Sequence, residues 1–544
     1  MDIASLFLGG SGSVMTSFFS LTFLIAFLPV SLLAYAVVPH KAKKFVLLIA
    51  SLVFFWLVSS VLIVYLFLTI LSVFLFGKWL DKIQRTMKEV LSKTEKEKRK
   101  EIKQGFVHRQ RMVLLLAVIL HVGLLLTLKY SGFFADNINS LLSLVNAPFE
   151  IPVPKLMMPI GISFFTLQAV SYITDVYHGL IKADGNILRI SLFISFFPQI
   201  VEGPICRYSQ TADQLWNVKQ IEYKNLTFGL QRILYGMMKK IVIADRLDPM
   251  VKAIFDEPNN YHGGIIFLGA VCYTIQLYMD FSGSMDAVMG IAEIFGVKMP
   301  ENFERPFFSK SVSEFWKRWH ITLGTWFKDY IFYPVTSTKK MKNLTSSARK
   351  KLGNHYGPLI AGGVALFCVW FCNGLWHGAG WNYIFFGMYH FVLILGGNMI
   401  TPLANRFFKA VKFDPECFVY RLFRIIRTAL LVVIGELFFR STGLMSGFGL
   451  FGRIVSDFSF SGLNSELLKK LSIDPQDFII IGITLVAVFI VSLMNEKGIS
   501  LRDKIAKRGI VTRWCIFYAL ILFIIIFGAY GFGYIPVDPM YANF

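Results

Sequence analysis

The sequence predicts an all-α, polytopic integral membrane protein with ten to twelve transmembrane helices and shorter re-entrant segments. Three observations predict it. Only 16% of the 544 residues are charged, against roughly 25% in an average soluble protein. Hydrophobic residues reach 55% and aromatic ones 16%. The apolar residues also gather in long uncharged runs, and one bilayer crossing needs about 20 of them.

In chain order the runs are Met15–Val38, Phe45–Gly77, Met112–Leu128, Leu156–Thr174, Gly263–Met279, Leu352–Asn405, Phe478–Met494 and Trp514–Val537. Phe45–Gly77 and Leu352–Asn405 are each long enough for two crossings. Shorter, weakly charged stretches at Leu226–Ile243 and Thr428–Phe439 complete the count. The first run is long and lacks a small-residue cleavage site, so it reads as a retained helix. No soluble domain and no fixed-period repeat stands out, and residues 1–544 read as a single membrane domain. The polar stretch Ser441–Asp477 is longer than a simple connection and is expected on the outside, where it could meet a partner.

The net charge of +21 does not point to nucleic acid, because the basic residues lie in loops. They cluster at His40–Lys44, Lys78–Arg111, Lys298–Lys351 and Lys497–Arg513. Lysine and arginine accumulate in cytoplasmic loops, so these clusters orient the chain with its amino terminus outside and Lys298–Lys351 at the cytoplasmic face. The run Lys88–Arg111 reads as a charged helical loop with a solvated face. Cys206, Cys272, Cys368, Cys372, Cys417 and Cys515 show no metal-like spacing and read as reduced, packed residues; no metal site is expected.

Two segments break the pattern of crossings. FISFFPQIVEGPICRY, Phe193–Tyr208, is apolar for too few residues to span, and Pro198 and Pro204 interrupt it. It is expected to be re-entrant, a form tolerated at depth only where protein or water satisfies the backbone. WHGAGW, Trp376–Trp381, sets two glycines around a histidine inside an uncharged stretch and predicts a helix break.

Ser311–Tyr330, SVSEFWKRWHITLGTWFKDY, divides cleanly when wound as one helix. Lys310, Glu314, Lys317, Arg318, Lys328 and Asp329 share one side. Phe315, Trp316, Trp319, Leu323, Trp326, Phe327 and Tyr330 share the other, with His320 among them. Helical geometry alone leaves His320 open between a packed core residue and a chemical one.

Ionisable or polar side chains inside membrane segments are functional-site candidates by default. Here they are Glu202, Asp280, His320, Asn373, His377, His390 and Glu436. Asp280, before Phe281-Ser282-Gly283, is expected where a helix ends or restarts, with capping as the plain reading. His390, among bulky apolar residues, is expected to make a structural hydrogen bond. No G-x-S-x-G, H-E-x-x-H or G-x-x-x-x-G-K-[ST] motif competes. A neutral imidazole suits removal of a proton from a hydroxyl near pH 7, and two histidines without a nucleophile motif fit direct acyl transfer to an alcohol.

Five blocks occur in order: MMPIGISFFTLQAVSYITDVYHG (Met157–Gly179), FFPQIVEGPICRY (Phe196–Tyr208), MDFSGSMDAVMGIAEIFGVKMPENFERPF (Met279–Phe307), SEFWKRWHITLGTWFKDYIFYP (Ser313–Pro334) and NGLWHGAGWNYIFFGMYH (Asn373–His390). Together, over a motif core at 157–390, they resemble the membrane-bound O-acyltransferase family, its bacterial alginate O-acetylase-like branch in particular. The resemblance implies helices ringed around a central funnel and tunnel. It places the family's two characteristic histidines on His320 and His377 as catalytic residues. Asp280, Asn302, Arg318, Trp319, Asn373 and Trp376 are the expected supporting residues.

It further implies a multi-pass enzyme of a bacterial plasma membrane, surrounded by membrane lipid. No cofactor is expected to stay bound; acetyl-CoA or another acyl thioester on the cytoplasmic side is the donor substrate. The acceptor is a cell-envelope or extracellular polysaccharide, reached through an extracytoplasmic SGNH-type partner. D-alanyl transfer to teichoic acid from a carrier protein is the alternative, and a polytopic transporter or flippase a weaker one, since no paired half-helices of two repeats are seen. Two departures are visible: the common DFSGYSD appears as DFSGSMD, with Ser284 and Met285 in place of tyrosine and serine, and the carboxyl end GYIPVDPMYANF, Gly533–Phe544, only loosely matches the family's aromatic ending.

Overall fold

A chain this apolar satisfies its backbone groups internally, and helices do that within each segment. The computed structural model accordingly shows helices throughout, with a single isolated bridge, Phe303 to Trp319, among the described residues. The structure describes residues 18–154 and 156–530; the outer ends of the first and last apolar runs and the carboxyl end Gly533–Phe544 lie outside them. Seven helices among the described residues are long and apolar enough to cross a membrane. One of these is the 54-residue run His40–Lys93, which the left-handed Ser60 (φ 49°) divides. Thr22–Val37 and Leu444–Ser456 are shorter apolar helices.

The chain forms two units. The first comprises residues up to Ile233 together with Ala287–Pro300. Its main helices are α1 (Lys43–Ser59), α2 (Ile63–Lys93), α3 (Arg99–Leu144), α4 (Ile162–His178), α5 (Ile187–Ser195) and α6 (Tyr208–Trp216). Helix α4 packs against α2 and α3, and every residue from Ile162 to Val176 is buried, the polar Ser163, Gln168 and Asp175 among them. Gly161 starts it with φ 79° and passes so close to the Ile200 carbonyl that a Cβ would lie 2.1 Å from the oxygen.

That contact holds the re-entrant stretch. After α5 the chain makes one turn at Phe197–Ile200, then runs without helix to Arg207. Every residue from Leu192 to Tyr208 is buried, so protein surrounds the irregular backbone. The Phe197 N–H donates to Ser51 Oγ at 3.1 Å.

The second unit comprises Leu234–Asp286 and the residues from Glu301 onward. It contains the first part of α7 (Gly263–Ile294), then α8 (Val312–Arg318), α9 (Ile321–Phe327), α10 (Lys339–His377), α11 (Trp381–Ala410), α12 (Phe418–Arg440), α13 (Pro475–Glu496) and α14 (Ile510–Phe527). Helices α10 and α11 are the most extensively packed pair. Their backbones meet at two glycines: a Cβ on Gly374 would lie 2.5 Å from the Tyr383 carbonyl oxygen, and one on Gly387 2.3 Å from that of Trp370. Small residues permit such approaches between membrane helices. The break predicted at WHGAGW is present, with α10 ending at His377 and α11 starting at Trp381.

Three expectations are corrected. Ser311–Tyr330 is not one helix: α8 stops at Arg318, and His320 adopts φ 46°, ψ 50° before α9 begins. The loop ahead of it takes the backbone bonds a continuous helix would use. Glu304 N–H donates to the Arg318 carbonyl at 2.9 Å, and Ile321 N–H to that of Asn302 at 3.0 Å. Asp280 marks no helix end, because α7 runs unbroken through it. The stretch 441–477 is not a plain polar connection: it carries the helices Leu444–Ser456 and Ser465–Lys470.

Candidate active site

His320 occupies the left-handed turn between α8 and α9, a conformation rare for a residue with a side chain, and it is buried. Asn302 fixes that turn twice. Its backbone carbonyl accepts from Ile321 N–H, and its side-chain Oδ1 accepts from Thr322 N–H at 3.1 Å and Thr322 Oγ1–H at 2.9 Å. The same Oδ1 lies 3.2 Å from His320 Nδ1. A backbone N–H is an obligate donor, so the Asn302 atom it meets is the oxygen. His320 Nδ1 must therefore carry its proton toward Asn302, which puts the ring's lone pair on Nε2. Asn302 Nδ2 donates to Met285 Sδ at 3.2 Å, giving the position that departs from the common motif a definite task.

The edge of Phe281 meets the His320 ring at 4.9 Å and 85°. On another side Trp376 stands 5.6 Å away at 65°. The Trp376 indole also contacts His377, 5.0 Å between ring centres at 83°. His377 is the last residue of α10, buried against Phe386 and Phe439. Asn373, one turn earlier, is buried, and its Oδ1 has no hydrogen-bond partner among the described residues. Burial lowers the His320 pKa from its ordinary 6.5, because a charged ring loses its hydration there. A neutral, oriented imidazole can accept a proton at Nε2.

Not every expected residue joins this arrangement. The Arg318 guanidinium turns to Glu314 (2.9 Å) and Glu496 (3.1 Å) instead of the imidazoles. Trp319 stacks on Phe315 at 5.4 Å and meets Phe303 edge-on at 5.0 Å, bracing the turn from behind. Asp280 is held in an ion pair with Lys240 Nζ at 2.8 Å, and the same ammonium reaches Asp245 at 2.9 Å. His390 is fully buried among Trp316, Trp370 and Phe386. The hydrogen bond expected of it finds no protein partner: neither ring nitrogen has one among the described residues. Among these residues no group of three or more metal-ligating side chains is gathered.

Sequence reasoning missed Lys239, Lys240 and Thr322, and it singled out Met285 only as a departure from the motif. The lysines sit on a π-helical turn, Met238–Ala244, that aims both inward: Lys239 pairs with Asp286 and donates to Ser282 Oγ at 3.0 Å. Asp280 and Asp286 thus anchor α7 on either side of Phe281 and Met285, the residues that touch His320 and Asn302. Two adjacent lysines between apolar residues, MMKKIVIA at Met237–Ala244, with acids in the neighbouring motif, were the available signal.

Comparison with known proteins bears on this site. The sequence profile of the membrane-bound O-acyltransferase family matches residues 48–349, a stretch that includes His320 and ends before His377. The chain is 34% identical over 363 residues to a protein of Pseudomonas syringae pv. tomato named as a probable alginate O-acetylase, covering 66% of this chain and 64% of that one. The match therefore spans a little under two thirds of that relative. The peptidoglycan O-acetyltransferase of Helicobacter pylori is 29% identical over 396 residues, 68% of each chain. The teichoic acid D-alanyltransferase of Bacillus subtilis is 33% identical over 264 residues, 47% of this chain and 63% of the other. With more than half its length matched by the family profile, the chain belongs to the membrane-bound O-acyltransferase family.

Proposed function

We propose that the protein is an O-acyltransferase of the bacterial plasma membrane that moves an acetyl group from a cytoplasmic thioester, such as acetyl-CoA, toward a hydroxyl of an envelope or extracellular polysaccharide. The observation that carries this reading is the His320 turn: Asn302 holds the imidazole in the tautomer with its lone pair on Nε2. In the proposed step the acceptor oxygen attacks the thioester carbonyl while its proton passes to Nε2 of His320. The carbon–sulfur bond then breaks, and the departing sulfur takes that proton to leave as a thiol. His377, joined to His320 through the Trp376 ring, orients the acceptor or the thioester. An extracytoplasmic SGNH-type partner would complete transfer to the polymer.

The test uses the full-length protein in proteoliposomes with radiolabelled acetyl-CoA, scoring thiol release and label on a hydroxyl acceptor. His320→Ala and His377→Ala should each abolish transfer while leaving the thermal transition in place. Full transfer by either variant overturns its catalytic assignment. A second reading, D-alanyl transfer, is favoured by the similarity to the teichoic acid D-alanyltransferase. It shares the histidines and differs in donor, so label moving only from a D-alanyl carrier protein, and not from acetyl-CoA, establishes it.

A further inference from the structure

A cavity of about 350 Å³ lies within the second unit, walled by α7, α12, α13 and the loop before α8. Helices α7 and α13 are both candidate membrane spans. The residues that α13 contributes run from Leu485 to Ser492, seven positions at 1.5 Å each, so the slot is about 10 Å long. Its sides are Ile275, Tyr278, Val433 and similar side chains, and its polar end is Arg305. Arg305 gives only its Nε to Glu496, at 2.5 Å. The two terminal amino groups of the guanidinium have no partner among the described residues. Its backbone is left-handed, φ 52° and ψ 58°, ahead of Pro306, an unfavourable conformation for a side-chain-bearing residue that fixes where the head can reach.

We propose that this slot is a glycerophospholipid site, with one acyl chain along α13 and the phosphodiester on the terminal amino groups of Arg305. Three features select that occupant. An apolar slot between membrane helices excludes a polar solute. The planar guanidinium fork, with its terminal donors unused, matches two phosphate oxygens. The end of α13 that carries Glu496 runs directly into the basic stretch Lys497–Arg513, which places the Arg305 end at the lipid headgroups of the inner leaflet. Two wall residues, Tyr278 and Phe307, also press on Trp319, at 5.7 and 6.4 Å between ring centres. A lipid in the slot therefore packs behind the segment that carries His320 without entering the site itself.

The experiment is native mass spectrometry of the delipidated full-length protein titrated with phosphatidylglycerol. The wild type should take up one copy tightly. Arg305→Gln should weaken uptake at least tenfold, and Ala429→Phe or Val433→Phe, each filling the slot from α12, should abolish it with the thermal transition unchanged. With the wild type alone, diacylglycerol should bind at least tenfold more weakly, and millimolar inorganic phosphate should not displace the lipid. Absence of a tight copy, equal uptake by diacylglycerol, displacement by phosphate, or undiminished uptake by the folded variants overturns the proposal.

Discussion

Asn302 Oδ1 receives His320 Nδ1 at 3.2 Å and the Thr322 backbone N–H at 3.1 Å, so one amide oxygen sets both the turn and the proton on the ring. Leucine at position 302 removes the acceptor and lets the imidazole invert its tautomer. Asn302→Leu should lower kcat by about 10²-fold or more, within the range that general base catalysis contributes. Asn302→Asp keeps an acceptor and should retain much more activity. Initial rates in proteoliposomes decide it, and equal loss in both variants refutes the tautomer argument.

The acidic limb of the pH–rate profile provides an independent check. The base form of His320 is the neutral ring, and burial lowers its pKa from 6.5. The base form then persists below pH 6.5, so the limb should fall on the acid side of that value. A carboxylate beside the ring favours imidazolium, which raises the His320 pKa and moves the limb of Asn302→Asp to higher pH. A wild-type limb at or above 6.5, or no movement in the variant, contradicts the assignment.

The ion pairs around the site divide by burial. Lys240 lies between Asp280 and Asp245 with all three side chains nearly inaccessible. Lys240→Met removes the buried ammonium that both carboxylates share and should cost about 3–5 kcal/mol. Arg318, partly exposed with Glu314 and Glu496, should cost under about 1 kcal/mol as Arg318→Gln. Denaturant unfolding in detergent measures both, and comparable losses would show that burial does not govern these pairs.

Much of this arrangement was legible in the residues, and what was not has a common cause. The membrane fold follows from charge depletion and run length, which are local quantities. The break at Gly378–Gly380 was visible because the breakers lie inside the segment. The break at His320 was hidden because its cause lies in another segment: Asn302 and Glu304 take the backbone bonds that would have continued α8. Helical periodicity put His320 on the apolar side, which is correct for burial and silent about the turn. Asp280 was misread for the same reason, since Lys240 is brought to it by tertiary packing. The hydrogen bond expected of His390 finds no protein partner because the side chains around it, Trp316, Trp370 and Phe386, are aromatic.

The α10–α11 contact tests whether backbone proximity, rather than any side chain, holds His377 in place. A Cβ on Gly387 would stand 2.3 Å from the Trp370 carbonyl oxygen and 3.2 Å from Gly374 N, so Gly387→Ala must push the helices apart. Overpacking of this kind costs about 1–3 kcal/mol. Because α10 ends at His377, the displacement should also reduce acyl transfer without altering a residue of the proposed chemistry. Gly396, on the same helix, has nothing within 4 Å of its Cβ position. Gly396→Ala should be neutral or gain up to about 1 kcal/mol from helix propensity, with full activity. If both alanine variants show the same thermal transition and the same transfer rate, the close approach at Gly387 does not position His377, and that role passes to the ring contacts with Trp376, Phe386 and Phe439.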